Sequence, residues 1–294
     1  MYKSLAEAIR DAQAQQKTLA RLALEAEALD QGRPVAEIRE ALGRALAVMR
    51  QASDRGMVGD LTSVSGLVGG DAAKLRLGPP GPLADTLFRD VLARALAVQE
   101  VNAAMGVIVA APTAGGAGVL PAVLTGIAAA RHVSDDALVD ALATAGLIGA
   151  VVAERASLSG AEGGCQAETG AAAGMAAGAA TEMLGGTPAQ VGHAVALAQQ
   201  ATLGLICDPL GGLVELPCVF RNATGAAIAL AAIEMALAGI EFAIPCDEVI
   251  DVMGEIGREM DVRYRETAGG GLAATPTGRR LAKERLVQIK RAGR

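Results

Sequence analysis

The stretch NATGAAIALAAIEMALA, residues 222–238, has the composition and spacing of a long helix built largely from alanine, glycine, leucine and isoleucine. Comparable helical patterns occur at three further places: 85–101, the segment after Ser134, and the segment entered through Thr187-Pro188. No segment shows the β-branched alternation and turn residues that predict a hairpin. We therefore predict an all-α fold, rich in alanine and glycine, in which small side chains let helix backbones approach closely.

Glycine-rich segments interrupt these helical patterns, and polar residues concentrate in them. We expect loops at 63–72, 112–118, 159–165, 208–212 and 267–271. The segment SGLVGGDAAKLRLGPPGP (65–82) is predicted to contain no regular helix, because glycine and proline punctuate it. Loops held by a rigid scaffold are common places for function, since their backbone amides are free to meet a ligand.

The two ends of the chain are predicted to be helical additions to this fold. Residues 1–55 predict two amphipathic helices, the first with a capping box of Ser4 and Glu7 and the second opened by Pro34. Residues 279–294 form a basic tail, which we interpret as a solvated terminal helix. We expect the whole chain, 1–294, to be a single domain with 1–55 packed on it.

Charge and hydropathy argue against two classes of partner. With 26 basic and 32 acidic side chains the net charge is −6, the wrong sign for a nucleic-acid-binding surface. The uncharged runs 101–130 and 183–207 are long enough to cross a membrane, but prolines, glycines and amide side chains interrupt them, so we expect no membrane insertion. The N-terminus lacks the apolar region of a secretory signal, which predicts the reducing cytoplasm and no disulfide framework for the four cysteines.

The spacing of the cysteines indicates little by itself. Cys165, Cys207, Cys218 and Cys246 form no C-x-x-C pair, which disfavours a structural zinc site, and buried free thiols remain an open alternative. Their surroundings are more informative. The first three lie in SGAEGGCQAETG (159–170), LICDPLGG (205–212) and VELPCVFRNA (214–223), beside glycine or proline and a polar residue. Such breaks leave room for a bulky inorganic cluster and expose backbone N–H groups to its sulfurs.

Five segments in order along the chain resemble one enzyme family: SGLVGGDAAKL (65–75), ALAVQEVNAAMGVIVAAPTAGGAGVLPA (95–122), GGCQAETG (163–170), LICDPLGGLVELPCVFRNA (205–223) and RETAGGGLAATPTGRRL (265–281). They are similar to the α-subunit, or catalytic domain, of the iron–sulfur-dependent L-serine dehydratases, also called L-serine ammonia-lyases. The resemblance covers most of the chain, and five ordered motifs are far more specific than one glycine loop.

The resemblance implies a cofactor and a reaction. Cys165, Cys207 and Cys218 would ligate a [4Fe–4S] cluster, whereas Cys246 lies outside the motifs and is interpreted as a packing residue. With three protein thiolates, one iron would stay open as a Lewis acid for the hydroxyl of L-serine, which is converted to pyruvate and ammonia. The family also has a β-subunit or domain. This chain contains no such part, so the resemblance implies a separately encoded β partner and an α/β hetero-oligomer.

Six residues are candidates for binding the substrate: Thr113, Arg221, Asn222, Ser65, Gly66 and Lys74. Thr113 precedes a glycine pair in a loop that leads into a helical stretch, where hydroxyl and backbone donors could meet a carboxylate. The Arg221 guanidinium could bind the substrate carboxylate, although a structural ion pair with Glu215 or Asp208 is equally open. Ser65, Gly66 and Lys74 rest mostly on the resemblance.

The general base is not identified by the sequence. His132 lies at a predicted helix end, which favours a surface position. His193 lies on a predicted helical face and is the candidate within this chain, with an ordinary core histidine as the alternative. A Ser-Ser-His-Thr segment of the family's β part is a further source of the base.

Three other functions are weighed against L-serine dehydration. A related cluster-dependent lyase acting on L-cysteine or L-threonine would share the cluster motifs. An iron–sulfur redox or iron sensor would use the cluster without catalysis. A pyridoxal enzyme would need a Schiff-base lysine, for which Lys74 is the candidate, but an all-α chain with three matched cysteines disfavours it.

Overall fold

The computed structural model describes residues 2–79, 81 and 86–292, and these residues form thirteen α-helices and no β-strand. The predicted all-α fold is confirmed. The helices are α1 (Leu5–Gln15), α2 (Leu19–Gln31), α3 (Val35–Gly56), α4 (Asp71–Leu77), α5 (Thr86–Ala103), α6 (Val119–Arg131), α7 (Asp135–Arg155), α8 (Gly160–Gly163), α9 (Ala171–Met183), α10 (Pro188–Gln200), α11 (Cys218–Leu237), α12 (Cys246–Glu259) and α13 (Pro276–Ala292). A π-helix (Gln166–Gly170) leads into α9, and short 3-10 turns occur at Leu210–Gly212, Val262–Tyr264 and Gly271–Ala274.

The core is formed by α7, α9, α10 and α11, whose buried faces are mostly alanine, valine and leucine. Eleven of the thirteen residues of α9 are buried, all but one of them alanine, glycine or methionine. A Cβ atom on Gly178 of α9 would lie 2.5 Å from Ile148 Cδ1 of α7. Close approach of these helices therefore depends on the small side chains that the composition predicted.

The N-terminal prediction needs a correction, because residues 1–55 contain three helices rather than two. Gln16 ends α1 in the left-handed conformation, and the Thr18 hydroxyl accepts a hydrogen bond from the Arg21 N–H to begin α2. Pro34 directly precedes α3, as predicted. The Ser4 hydroxyl caps α1 by accepting from the Glu7 N–H.

A second correction concerns 65–82, where the predicted loop contains α4. The Glu100 carboxylate, carried by α5, accepts hydrogen bonds from the N–H groups of Gly70, Asp71 and Ala72 at 3.1, 2.6 and 3.1 Å. Three N–H groups at the start of α4 are thus satisfied by a residue distant in sequence. Burial raises the pKa of Glu100, against the opposing effect of these three hydrogen bonds.

Two other predicted segments differ in detail. Within the predicted loop 159–165, residues Gly160–Gly163 form α8. The helix predicted at 222–238 begins one turn earlier, at Cys218. The capping box of Thr187 and Gln190 is confirmed, with both reciprocal hydrogen bonds present at the start of α10.

The uncharged runs considered as membrane spans are broken in the structure. The run 101–130 contains the end of α5, a loop and α6, while 183–207 contains all of α10 and the turns that flank it. Two other helices, α7 and α11, are long and apolar enough to span a membrane by length and composition alone. Their apolar windows are 67% and 44% buried within the protein, as expected for helices that contribute to a core.

Candidate functional site

The structure brings Cys165, Cys207 and Cys218 together beneath the glycine-rich loops. Cys165 lies between α8 and the π-helix, Cys207 in an extended segment, and Cys218 at the first turn of α11. Their exposed fractions are 2%, 2% and 4%, and all three are free thiols. After burial and Glu168, the charges of Cys165 and Cys218 are the next causes that raise the pKa of Cys207. The three cysteines predicted as ligands are therefore neighbours.

The buried environment of these three thiols disfavours the thiolate form. Burial is the largest cause that raises the pKa of each, and the pKa of Cys218 reaches about 12. Three buried thiols close enough to raise one another's pKa would stay protonated near neutral pH, whereas a bound cationic centre favours thiolates. The donor set thus fits a metal centre better than a set of reactive nucleophiles.

The three cysteines do not form a compact binding site for a single metal ion. Among residues 2–79, 81 and 86–292, no group of three or more His, Cys, Asp or Glu side chains is compact enough to bind a single metal ion. Thiolates that bind different irons of a cluster are farther apart than the ligands of one ion.

Cys207 is positioned by backbone pairing with the loop that contains the last of the five motifs. The Cys207 N–H donates to the Tyr264 carbonyl, and the Glu266 N–H donates to the Cys207 carbonyl, both at 2.8 Å. This isolated bridge pairs Cys207 with Arg265. Glu266 and Ala268 take φ values of 61° and 55°, a region that disfavours side chains, so the turn after the bridge is strained.

Glu168 is a site residue that the sequence reasoning missed. Its carboxylate is 7% exposed; Oε1 accepts from the Thr113 hydroxyl at 2.8 Å, and Oε2 accepts from the Cys207 thiol at 3.7 Å. A Cβ atom on Gly115 or Gly160 would lie 2.6 Å from this carboxylate. Burial raises the pKa of Glu168, and the nearby Glu266 adds to the rise. Its position three residues after Cys165, in a glycine-flanked motif, was the available signal.

Arg221 forms the ion pair that was left open, and its partner is Asp208 rather than Glu215. The Arg221 Nη2 atom lies 2.8 Å from Asp208 Oδ1, and Nη1 donates to the Ile206 carbonyl at 2.9 Å. Burial opposes the guanidinium charge, but Cys165 and Asp208 outweigh it and raise the pKa of Arg221. The charge of Arg221 in turn lowers the pKa of Cys165 and Cys218, which places the guanidinium beside the cysteines.

Asn222 is fully buried, and its hydrogen bonds go to backbone groups. Its Nδ2 donates to the carbonyls of Gly115 and Cys218 at 2.7 and 2.9 Å, and its Oδ1 accepts from the Gly118 N–H at 2.9 Å. The side chain therefore fixes the loop that contains Thr113 against the start of α11. Direct contact of Asn222 with a substrate stays a prediction.

The remaining candidate substrate residues lie in different surroundings. The N–H and hydroxyl of Ser65 both donate to the buried carboxylate of Glu215. Gly66 is exposed and has a φ of 73°. The Lys74 side chain is 74% exposed, and its hydrogen bond to Asp71 raises its pKa, the opposite of what a Schiff-base lysine requires.

The histidines are not brought to the three cysteines by any contact in the described part of the chain. His193 Nδ1 accepts from the Phe242 N–H at 3.2 Å, and a Cβ atom on the adjacent Gly192 would lie 3.7 Å from Cys246 Sγ. His132 is exposed and ends α6 with a φ of 54°. Cys246 begins α12 and lies in the main apolar core. The proposed catalytic role of His193 remains a prediction.

Comparison with known proteins gives a consistent result. The family described as "Serine dehydratase alpha chain" matches residues 12–273. A probable L-serine dehydratase alpha chain of Bacillus subtilis is 51% identical over 250 residues, covering 84% of this chain and 83% of that protein. The L-serine dehydratase alpha chain of Peptoniphilus asaccharolyticus is 45% identical over 205 residues, covering 68% and 70%. An L-serine dehydratase of Streptomyces coelicolor is 45% identical over 245 residues, covering 81% of this chain and 53% of that protein. The chain belongs to the serine dehydratase alpha chain family.

Proposed function

We propose that this chain is the catalytic α chain of an L-serine ammonia-lyase that holds a [4Fe–4S] cluster through Cys165, Cys207 and Cys218 and converts L-serine to pyruvate and ammonia. The observation that supports it most is the convergence of these three buried thiols, which come from three distant segments. Membership of the serine dehydratase alpha chain family supports the same reaction. We propose that the chain acts as one catalytic domain in the cytoplasm, where free thiols persist.

The residues around the cysteines fit such a group. Gly160 faces Cys207, since a Cβ atom there would lie 3.1 Å from the Cys207 sulfur. When bound through three thiolates, a [4Fe–4S] cluster supplies an iron without a protein ligand, which acts as a Lewis acid on the substrate hydroxyl. The buried setting excludes water and strengthens electrostatic interactions within the site.

Arg221 and Thr113 are the residues we propose to receive the substrate. A guanidinium has five N–H donors, and Asp208 and Ile206 contact one terminal nitrogen each, so donors remain for the carboxylate of L-serine. Thr113 is oriented by its hydrogen bond to Glu168. Asn222 positions the Thr113 loop. The effect of the Arg221 charge on the pKa of Cys165 and Cys218 supports a position of the guanidinium near the cysteines.

We propose that a separate β chain completes the enzyme and supplies the proton acceptor. The relatives from Bacillus subtilis and Peptoniphilus asaccharolyticus are named as alpha chains, which implies a second chain in those enzymes. The hydrogen bond from the Phe242 N–H to His193 Nδ1 occupies one nitrogen of the histidine candidate within this chain. A base contributed by the β chain therefore has better support than His193.

Cysteine replacement under anaerobic conditions tests the cluster. Alanine at Cys165, Cys207 or Cys218 should each abolish bound iron, acid-labile sulfide and visible absorption. Cys246→Ala is the matched control, because this thiol is equally buried but lies in the apolar core, and it should retain full iron content. A wild-type protein that is colourless and iron-free after anaerobic purification would contradict the proposal.

The substrate is tested separately on the iron-loaded protein with and without its β partner. We expect pyruvate from L-serine, with full activity only when both chains are present. Release of 2-oxobutanoate from L-threonine or of sulfide from L-cysteine at higher kcat/KM would indicate the related lyases instead. A cluster spectrum that no amino acid perturbs would favour a sensor.

A further inference from the structure

A cavity of about 380 Å³ lies next to the cysteine site and is lined by other residues. Its walls come from α8, from α12 and from the loop that pairs with Cys207. The polar side chains that line it are Ser157, Glu162, Arg258 and Arg265. The cavity therefore combines two guanidinium groups with one carboxylate, outside the machinery proposed for dehydration.

Neither arginine has a carboxylate within ion-pair distance in the described part of the chain. The carboxylate of Asp261, whose pKa is lowered mainly by Arg263 and least by Arg265, forms its ion pair with Arg263. Neither Arg258 nor Arg265 forms an ion pair or a side-chain hydrogen bond there, and the Nε atom of Arg265 is buried without an acceptor. Many other arginines of this protein pair with aspartate or glutamate, as Arg155 does with Asp251 at 2.6 Å. Arg258 is exposed and Arg265 is half-buried. The buried donor at this cavity is therefore the Nε atom of Arg265, and it indicates a missing acceptor because a buried donor without an acceptor is unfavourable.

The shape and the remaining groups of the cavity limit the size and chemistry of that anion. Gly254 lets the Arg258 guanidinium lie against α12, since a Cβ atom there would be 3.2 Å from Nη1. Glu162 lies on the exposed side, and its Oε2 accepts from the Ser157 hydroxyl at 2.6 Å. Met253 and Ala167 add apolar wall. A planar carboxylate on a small organic molecule matches paired guanidinium donors, and the Glu162 carboxylate can meet an ammonium group on the same molecule.

We propose that this cavity binds a small organic carboxylate, an amino acid or a 2-oxo acid, with its carboxylate held by Arg258 and Arg265. The site is distinct from the proposed catalytic site and does not depend on turnover. It is connected to that site by backbone, because Arg265 pairs with Cys207. Glu162 selects between the two ligand types, since it attracts an ammonium group and repels a ligand that carries negative charge alone.

Calorimetric titration of the full-length, anaerobically purified chain tests the proposal. The probes are L-alanine, which has no hydroxyl to eliminate, and pyruvate, which has no ammonium group. We expect Arg258→Gln and Arg265→Gln each to weaken binding of the preferred carboxylate at least tenfold. Glu162→Gln should weaken binding of L-alanine and strengthen binding of pyruvate, which identifies the source of the ligand.

The controls separate this site from general anion binding and from loss of structure. Arg44→Gln removes an exposed arginine of α3 that pairs with Glu40, and binding should stay unchanged. Arg258→Gln changes an exposed side chain of α12, a helix that packs against Gly163 through Gly257. Retained cluster absorption and an unchanged unfolding midpoint would show that the variant is folded. Undiminished binding in Arg258→Gln, absence of binding by both carboxylates, or equally tight binding of inorganic phosphate would overturn the proposal. None of these outcomes bears on serine turnover.

Discussion

Two regions of this protein are specified in different ways. In the helical core of α7, α9, α10 and α11, most buried side chains are alanine, valine or leucine, and their volume sets how closely the helices pack. On the loop face, formed by 57–70, 112–118, 159–170, 204–217 and 265–275, buried carboxylates accept hydrogen bonds from groups of other loops. These are Glu168, Asp208 and Glu215, with Glu100 at the adjoining start of α4. The packing of the helical core therefore follows from local composition. The conformation of the loop face depends on hydrogen bonds to carboxylates that are distant in sequence.

The largest stability effect should follow loss of a loop-face carboxylate. Glu215→Ala removes the acceptor for the Ser63 hydroxyl, at 2.7 Å, and for the N–H and hydroxyl of Ser65. Leaving several buried donors without a partner should cost about 3 kcal/mol or more in the free energy of unfolding. Urea denaturation measures it. Ser65→Ala removes one donor and leaves the acceptor, so it should cost only about 1 kcal/mol; equal costs for the two variants would contradict this account.

The contact between α3 and α5 is a helix packing outside that core that also depends on a small side chain, and there the corresponding test is a single added methyl group. A Cβ atom on Gly56, at the end of α3, would overlap the backbone carbonyl of Ala97 in α5. Because backbone cannot move aside as a flexible side chain can, Gly56→Ala should cost about 2 to 3 kcal/mol. Gly43→Ala in the same helix meets no atom within 4 Å and should stabilise by up to about 1 kcal/mol. Thermal and urea unfolding of the two variants should therefore shift in opposite directions.

A glycine-to-alanine substitution on the loop face, Gly160→Ala, should lower the iron content more than it lowers the stability. A Cβ atom on Gly160 would lie 2.6 Å from Glu168 Oε2 and 3.1 Å from Cys207 Sγ. The carboxylate end of Glu168 can shift, so we expect a loss of only about 1 kcal/mol in the free energy of unfolding. Space beside Cys207 would nevertheless be filled, and iron content after anaerobic reconstitution should fall by about half or more. Gly146→Ala, which meets no atom within 4 Å, is the control, and equal iron content in both variants would be evidence against a cluster beside Gly160.

The contrast between the regions also explains how far the sequence could predict the structure. The helices α7, α10 and α11 carry periodic apolar residues and local caps such as Ser134 and Thr187, so they were predictable from neighbouring residues. The helix α4 was not, because its cap is Glu100, which lies beyond three prolines on another helix. Likewise, nothing in residues 1–55 indicated that Gln16 would adopt a left-handed conformation and divide one predicted helix into two.

The candidate site also has a part that the sequence predicted and a part that it did not. The motifs around Cys165, Cys207 and Cys218 indicated which thiols belong together, but not the carboxylate between their loops. The sequence did not single out Glu168 for two reasons. Its hydrogen-bond partner Thr113 is distant in sequence, and Gly160, which packs against it, has no side chain. A single glutamate in a motif also gives no periodic signal. The sequence offered two partners for Arg221, and only the fold distinguishes Asp208 from Glu215. Long-range polar pairing is therefore what sequence patterns leave undetermined.

The smallest effect concerns a polar bond at the rim of the helical core. The Tyr2 hydroxyl donates to Asp11 Oδ2 at 3.0 Å, and burial together with this bond raises the pKa of Tyr2 from 10.0 to about 12. A group with a raised pKa stabilises the fold fully below its unfolded pKa and loses that contribution as pH rises through the folded value. The stability difference between wild type and Tyr2→Phe, about 1 kcal/mol, should therefore be constant below pH 10 and vanish near pH 12. Because the chain has two tyrosines, Tyr264→Phe leaves Tyr2 as the sole chromophore, and tyrosinate absorbance with a midpoint near pH 10 would show that the bond is absent.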